Sequence, residues 1–297
     1  MELDLPSGRV ECGPDRPLLM GILNCGGDSV ADGRLMPDTA ARVRRGRQLA
    51  AGGAEIVDVG AISGRTDTPA LSEAEEIELV VPVVRALAAA GITVSVDTWR
   101  PAAVEAVLEA GAAIINDISG LADPTVAGLA ASHGAGLVIM HTRAAPKQRA
   151  FPGYEDPVDD VISFLSERIE TAAREGIRTE QIIVDPGLDY TKTPQETVEV
   201  LRRLDELERF GRPILLAVSR KYFLGMITGR PPEDRLPSTL AAIQFGLDRG
   251  AAILRVHDVA EVAEFLTVAL SLPGPGPVAM RGDGRDQELM WIAPKHA

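Results

Sequence analysis

Short apolar runs recur along the chain, and a longer stretch with the apolar spacing of an amphipathic helix follows each run. Eight such runs occur between Leu18 and Leu270. They are continuous and rich in Ile, Val and Leu, as expected for parallel strands that helices cover on one face and that fill a barrel interior on the other. We therefore predict an α/β fold, a single (β/α)8 barrel of the TIM type.

The residues at the ends of the apolar runs are candidate site residues, because the carboxyl ends of the strands form the active-site face of such a barrel. Long connections on the same face, over residues 25–38, 61–72, 142–157 and 222–235, are predicted to act as substrate lids. The eight runs end at Asn24, Gly60, Asp97, Asn116 with Asp117, His141, Asp185, Lys221, and Arg255 with His257.

The regular repeat leaves no room for a domain boundary, so residues 1–272 are predicted to form one barrel domain. Residues 273–297 begin with PGPGP and continue with the polar string RGDGRDQE, which is typical of a loosely packed C-terminal extension. Capping boxes at Ser72 with Glu75 and at Thr193 with Glu196 predict the starts of two helices. These capping residues are expected to carry structure and not chemistry.

The composition is that of a globular protein, with 45% hydrophobic and 25% charged residues. A formal net charge of -13 argues against nucleic acid or an anionic membrane as a partner, since both are bound through clustered Lys and Arg. The sequence has no apolar stretch of about 18 residues and no signal-peptide pattern, which predicts a cytoplasmic protein. Cys12 and Cys25 are too few for a disulfide framework or a metal cluster.

The strand-end residues fall into two chemical sets. Asp97, Asn116 and Asp185 supply hydrogen-bond acceptors, whereas the residues at the last two strand ends supply donors and positive charge. Barrels often bind phosphate through the loops after strands seven and eight. The predicted ligand is therefore flat and rich in N–H groups, and it carries phosphate. The cationic set comprises Lys221, Arg255 and His257. His141 at the fifth strand end is expected to have a structural role more often than a functional one.

The local strings resemble those of the dihydropteroate synthase family. They are MGILN, GAEIVDVG, SVDTWRP, IINDISG, VIMHTR, IIVDPGLDYTKT, AVSRKYFLG and RVHDV, in this order and across nearly the whole span from Leu18 to Leu270. A strand-end Asp is common in barrels, but DPG…KT followed by VSRK and RVHD is specific to this pterin-binding group. The resemblance implies a transferase in folate biosynthesis, in which 6-hydroxymethyl-7,8-dihydropterin diphosphate loses diphosphate and the amine of p-aminobenzoate takes its place.

The resemblance also implies roles for residues. The pterin would be held by acceptors that read its amino and ring N–H edge together with a lysine, and the diphosphate by basic and amide groups. The pterin residues would be Asp97, Asn116, Asp185 and Lys221, and the diphosphate residues Asn24, Arg65, Arg255 and His257, with Asn24 also binding Mg2+.

Further site residues follow from the same resemblance. Asp28 and Asp32 in the first loop would join Lys221, Arg255 and His257 as catalytic residues. The aryl amine would lie near Tyr190, Ser219 and Tyr222. The resemblance implies a homodimer with small-molecule substrates as its partners.

The chain departs from the family pattern in the first two strand-to-helix loops. The first loop keeps both acids, but Gly26 and Gly27 replace a Thr-Pro pair and Val30 replaces a Phe that helps enclose the aryl amine. The second loop keeps Ser63 and Arg65 and lacks the family's Glu, Thr and Pro. Near the aryl amine, Tyr222 stands where the family has Ser, and Tyr190 where it has Phe.

Three functions follow from this pattern. The first is a transferase that forms dihydropteroate or a close analogue, and the second is a catalytically idle pterin-binding paralogue with a regulatory or scaffolding role, which the altered second loop suggests. The third is the related methyltetrahydrofolate-binding barrel of corrinoid methyltransferases. The intact VSRK and RVHD strings count against the third, because that barrel has no need of a diphosphate site.

Overall fold

Eight parallel strands close into a barrel, which confirms the predicted (β/α)8 architecture. The computed structural model describes residues 1–26, 36, 38–61, 71–148 and 150–273. The strands are hydrogen-bonded in the cyclic order β10-β3-β4-β5-β6-β7-β8-β9. They are β3 (Leu18–Asn24), β4 (Ile56–Gly60), β5 (Thr93–Asp97), β6 (Ile114–Asp117), β7 (Gly136–Met140), β8 (Ile182–Asp185), β9 (Ile214–Leu216) and β10 (Ala251–Val256). Each overlaps a predicted apolar run, but β9 ends at Leu216, so Lys221 precedes α7 and does not end the strand as predicted.

Helices cover the outside of the barrel in the part of the chain that the structure describes. Both predicted capping boxes are present, at Ser72 with Glu75 and at Thr193 with Glu196. The helices are α1 (Thr39–Ala51), α2 (Glu73–Ala88), α3 (Pro101–Glu109), α4 (Thr125–Ser132), α5 (Pro157–Arg174), α6 (Pro194–Arg202), α7 (Tyr222–Thr228), α8 (Leu236–Leu247) and α9 (Val259–Ser271).

The long connection predicted over residues 222–235 was wrong, because its first half is helix α7. The helix is short, but it buries Phe223 and Leu224 side by side against the barrel. It ends at Gly229, whose φ of 71° lies in the left-handed region that closes a helix. The first half of this segment is thus a helix packed against the barrel.

Alternation along the strands separates two apolar cores. In β4, Val57 and Val59 pack outward against the helices, whereas Ile56 points into the barrel. The interior core also takes one or two residues from each of most other strands, and it lies toward their amino ends. Its strand residues include Leu18, Met20, Ile56, Ile114, Val138, Ile183, Leu215 and Ile253.

A hairpin that the sequence reading missed closes the amino end of the barrel. Strands β1 (Glu2–Leu5) and β2 (Gly8–Glu11) pair antiparallel before the first barrel strand. The hairpin buries Leu3 and Leu5 in the interior core. The hairpin therefore covers the amino end of the barrel interior.

The predicted C-terminal extension over residues 273–297 lies outside the described residues except for its first residue. Helix α9 ends at Ser271, one residue before the predicted end of the barrel domain at 272. None of the helices that the structure describes has both the length and the apolar character needed to cross a membrane.

Candidate active site

The strand positions that point into the barrel change from apolar to polar toward the carboxyl ends. In β4, Ile56 belongs to the interior core, and Asp58 follows two residues later on the same face. In β6 the same step leads from Ile114 to Asn116. A polar layer thus replaces the upper part of the apolar barrel core, as the sequence predicted for the strand ends. On the described strands it contains Asn24, Asp58, Asp97, Asn116, Asp185 and Arg255.

Neighbouring strands bring the acceptor set together. Asp97 pairs in register with Gly60 on one side and with Asn116 on the other. The missing side chain of Gly60 leaves room for Asp97, since a Cβ at Gly60 would lie 3.3 Å from the Cβ of Asp97. Asp97 and Asn116 are both buried. The parallel register therefore places two of the predicted pterin residues side by side.

Arg255 binds the acceptor layer directly. Its Nε donates to Oδ2 of Asp58 at 2.7 Å, and its Nη2 donates to Oδ2 of Asp97 at 3.1 Å. Nδ2 of Asn116 also donates to Oδ2 of Asp58, at 3.2 Å. Asp58 therefore organises the layer, and Arg255, which was predicted to hold the diphosphate, contacts the predicted pterin residue Asp97.

Several buried oxygens of this layer have no hydrogen-bond partner among the described residues. They include Oδ1 of Asp58, Oδ1 of Asp97 and Oδ1 of Asn116. Buried polar atoms are nearly always hydrogen-bonded in native proteins. Three clustered acceptors without partners therefore favour a ligand that presents N–H groups to this part of the barrel.

Burial shifts the protonation of the acceptors. It raises the pKa of Asp97 to about 7, against the opposing effect of the Arg255 guanidinium. Burial also raises the pKa of Asp185, and the N–H of Gly187, which donates to Oδ1 of Asp185 at 2.7 Å, opposes that shift. N–H donors of a ligand would stabilise the charged form of both carboxylates, because hydrogen bonds to the ionised form lower the pKa.

Lys221 and Tyr190 lie close enough to this layer for the charges of Asp97 and Asp185 to act on both. Nζ of Lys221 lies 4.3 Å from the centroid of the Tyr190 ring and donates to the carbonyl of Leu188 at 3.0 Å. Lys221 is the residue that precedes helix α7, so the helix start fixes its backbone. Burial lowers the pKa of Lys221, and the carboxylates of Asp189 and Asp185 oppose the shift. The attraction between the ammonium and the face of the ring holds these two side chains together in the site.

Ser219 and His257 lie at the end of the site where the phosphate is expected. Oγ of Ser219 is 3.0 Å from Nδ1 of His257, and it also accepts the backbone N–H of His257 at 3.2 Å. Burial, together with Arg255 and Arg220, lowers the pKa of His257 to about 3. The positive charge expected for His257 from the sequence was therefore wrong for the free protein, in which the ring is a neutral hydrogen-bonding group.

Some of the remaining predicted residues lie in the part of the chain that the structure describes, and the others do not. Asn24 ends β3 half-buried, and Tyr222 begins α7 with 51% of its surface exposed. His141 is fully buried and contacts Asp160 and Lys192. Asp28, Asp32 and Arg65, together with Val30 and Ser63, lie outside the described residues.

Two buried charged residues of this face were missed by the sequence reading. Asp58 lies inside an apolar run and not at its end, and the alternation with Ile56 was the signal that it points inward. Lys192 is only 2% exposed, and although it is the lysine of the DPG…KT string, no role was predicted for it. Its burial depends on contacts with a distant strand, which no local pattern reveals.

Known proteins are similar to this chain in both sequence and architecture. Residues 20–257 match the family model described as pterin binding enzyme. The dihydropteroate synthase of Bacillus subtilis is 35% identical over 266 residues, which are 89% of this chain and 91% of that protein. A probable bifunctional folylpolyglutamate synthase/dihydropteroate synthase of Haloferax volcanii is 40% identical over 262 residues, which are 88% of this chain but only 31% of that protein.

A solved structure of the same family is similar to this barrel. The dihydropteroate synthase of Burkholderia cenocepacia, complexed with 7,8-dihydropteroate, superposes with a TM-score of 0.81 and 35% identity, over 90% of this chain and 94% of that one. The match extends over the barrel that carries the polar layer. The chain therefore belongs to the dihydropteroate synthase family of pterin-binding enzymes.

Proposed function

We propose that the protein is a folate-pathway transferase that condenses 6-hydroxymethyl-7,8-dihydropterin diphosphate with p-aminobenzoate or a related aryl amine, giving dihydropteroate and diphosphate. One observation carries the proposal: the end of the barrel that holds three buried acceptor oxygens without partners among the described residues also holds a cation stacked on an aromatic ring. A pterin supplies the N–H edge and the flat ring that such a pocket fits. The family relatives, which are named dihydropteroate synthases, support the same reaction.

The pterin end of the site binds through complementary hydrogen bonds. Asp97, Asn116 and Asp185 accept from the amino group and ring N–H groups, and Lys221 donates to the pterin. Burial makes these contacts specific, because a ligand without N–H groups would leave the acceptors unpaired in the protein interior.

The leaving-group end of the site stabilises negative charge. When the methylene carbon–oxygen bond breaks, the electron pair goes to the diphosphate, and Arg255 and the neutral N–H of His257 face that developing charge. The dihydropterin ring spreads the positive charge left on the methylene, and the aryl amine nitrogen then bonds to that carbon and loses its proton to water. The scheme requires no general base of unusual pKa.

We further propose that Mg2+ binds with the diphosphate at Asn24. An amide oxygen is a hard ligand of the kind that Mg2+ accepts, and the ion commonly keeps several waters and phosphate oxygens beside one or two protein ligands. No cluster of three or more His, Cys, Asp or Glu residues suited to a metal occurs among the described residues, so a binding mode with few protein ligands fits this face. Bound Mg2+ would neutralise part of the diphosphate charge.

The acceptor amine is proposed to lie beside Tyr190, Ser219 and Tyr222. Tyr222 stands at the first turn of α7, directly after Lys221, and half of its surface is exposed. Its ring thus has the position and bulk to alter the shape of the entrance. Asp28, Asp32 and Arg65 are proposed to complete the site from the two loops, as the resemblance implies.

The amine specificity is tested by incubating the protein with the pterin diphosphate, Mg2+ and a panel of aryl amines. Diphosphate release and product mass are followed for each amine. We expect turnover with p-aminobenzoate or with a close analogue. Pterin binding without turnover for any amine would instead support the idle paralogue, and methyl transfer from methyltetrahydrofolate would support the corrinoid-type barrel.

Two further properties are proposed from family membership, a homodimer and a cytoplasmic location. Light scattering of the purified protein tests the first, with an expected mass of twice 31.5 kDa. Fractionation of the source cells tests the second. A monomeric mass or a membrane-bound fraction would contradict the respective proposal.

A further inference from the structure

A buried lysine lies behind the pterin pocket. Lys192 is 2% exposed, and its Nζ donates to the carbonyls of Gly187 at 3.0 Å and of Tyr190 at 3.3 Å. The same atom lies 2.7 Å from Nδ1 of His141. An ammonium has three hydrogens to donate, so these three acceptors satisfy it.

His141 connects this lysine to the outer helix layer. Its Nε2 is 2.8 Å from Oδ1 of Asp160 on helix α5. Burial and the charge of Lys192 lower the pKa of His141 to about 3, so the ring is neutral. A neutral ring that accepts from Lys192 at Nδ1 donates to Asp160 from Nε2. The three side chains therefore form a continuous chain of hydrogen bonds from α5 to the segment after β8.

That segment, residues 186–192, has a backbone that needs outside support. Asp189 and Thr191 have φ values of 63° and 51°, in the left-handed region of the backbone that residues other than glycine rarely adopt. Gly187 is also left-handed, and a Cβ there would lie 2.0 Å from the carbonyl oxygen of His141. Such conformations persist when surrounding contacts hold them. Lys192 supplies contacts of this kind by bonding two carbonyls of its own segment.

The segment carries two parts of the pterin pocket. Asp185 immediately precedes it, and Tyr190 within it places its ring 4.3 Å from Nζ of Lys221. The carbonyl of Leu188 accepts from the same Nζ. A change in the backbone of residues 186–192 would therefore displace groups that face the ligand, although Lys192 itself lies behind them.

Charge adds a second link between Lys192 and the pocket. Asp185, Asp160 and Glu196 favour the charged form of Lys192, whereas Lys221 and, above all, burial oppose it, which lowers its pKa to about 7.

The same charge acts on the pocket carboxylate. Lys192 lowers the pKa of Asp185, as do Lys221 and Arg255, against the larger opposing effect of burial. Without Lys192, the pKa of Asp185 therefore rises, and this carboxylate loses its charge at a higher pH.

We propose that Lys192, held by His141, is a positioning residue for pterin recognition: it fixes residues 186–192 so that Asp185 and Tyr190 face the pterin. The inference rests on the proposed function only in requiring that this site bind a pterin. It assigns to Lys192 no contact with the substrate.

The test compares Lys192→Met with Tyr154→Phe in the whole chain. The Tyr154 hydroxyl donates to the carbonyl of Thr191 at 3.0 Å, so the control variant removes a tether of the same segment without removing a charge. Binding of 6-hydroxymethylpterin is measured by titration calorimetry between about pH 5 and pH 9, together with thermal unfolding. We expect Lys192→Met to weaken binding about tenfold or more, and Tyr154→Phe by less than about threefold. The acid limb of the affinity profile should move to higher pH in Lys192→Met alone.

A folded Lys192→Met protein with wild-type affinity at every pH would overturn the proposal. So would an equal loss in both variants without a shift of the acid limb, since that result indicates general loosening of the segment. If Lys192→Met does not fold, His141→Gln replaces it, because glutamine cannot bridge Lys192 and Asp160 in the same way. His141→Gln should weaken pterin binding about threefold or more, and no change would overturn the proposal. Absence of pterin binding by the wild-type chain would overturn the proposed function itself, which distinguishes the two failures.

Discussion

The Nε of Arg255 lies 2.7 Å from Oδ2 of Asp58, and Asp58 has no exposed surface. The guanidinium also reaches Asp97, so one cation serves two buried carboxylates. Removing one member of such a group leaves an uncompensated charge inside the barrel, which costs more than the pair contributes when intact. The pair therefore links the stability of the barrel to the shape of the pterin pocket.

Asp58→Ala should destabilise the protein by about 3 kcal/mol, because it leaves Arg255 and Asn116 without their shared acceptor. Pterin affinity should fall with it. Denaturant unfolding measures the first effect, and Asp159→Ala, an exposed acid on α5, is the control. Equal stability of Asp58→Ala and the control would show that the ion pair does not organise the layer.

Lys221→Ala and Asp185→Asn should each weaken pterin binding about tenfold to a hundredfold, because each leaves a buried partner unpaired. Lys221→Met keeps an unbranched side chain and removes the charge, so it separates packing from charge. Calorimetric titration with the pterin gives the affinities. Wild-type affinity in both Lys221→Ala and Asp185→Asn would refute the proposed pocket.

Tyr222→Ser should increase kcat/KM for p-aminobenzoate by about threefold or more if the ring narrows the acceptor entrance. Met226→Ser is a matched control, since Met226 lies on the same helix and is 58% exposed. Steady-state rates with varied amine measure the effect. A neutral result for Tyr222→Ser would remove the ring from the account of amine specificity.

His257 should stay neutral in the free protein down to about pH 5, since its pKa lies well below that of an ordinary histidine. A bound diphosphate should raise the pKa of His257, because the anion favours the protonated ring. Diphosphate binding at mildly acidic pH should therefore be accompanied by uptake of a proton. Imidazole nitrogen shifts, with and without diphosphate, report this titration, and His257→Gln assigns the signal. An ordinary titration near the usual histidine pKa in the free protein would contradict the account.

Much of the fold was predictable because the repeat of an apolar strand followed by an amphipathic helix is visible in the sequence. Runs such as residues 18–24 and 182–185 are continuous apolar segments, and their ends coincide with the polar layer. The predicted neighbours Asp97 and Asn116 lie in register because parallel strands align their carboxyl ends.

The features that were missed depend on contacts distant in sequence. Lys192 is buried because His141, 51 residues earlier, accepts its hydrogen bond. The hairpin that includes Leu3 is short, and its apolar residues are buried by the interior of the barrel, which a local sequence pattern does not reveal. The neutral state of His257 likewise follows from burial beside Arg255 and not from its residue type.

Mass spectrometry of the products formed from 6-hydroxymethyl-7,8-dihydropterin diphosphate, p-aminobenzoate and Mg2+ decides whether the protein is a dihydropteroate-forming transferase. We predict dihydropteroate and diphosphate in equal amounts from the wild-type chain, with a strong loss in Lys221→Ala. Absence of dihydropteroate, from a folded protein that binds the pterin diphosphate, would contradict this prediction.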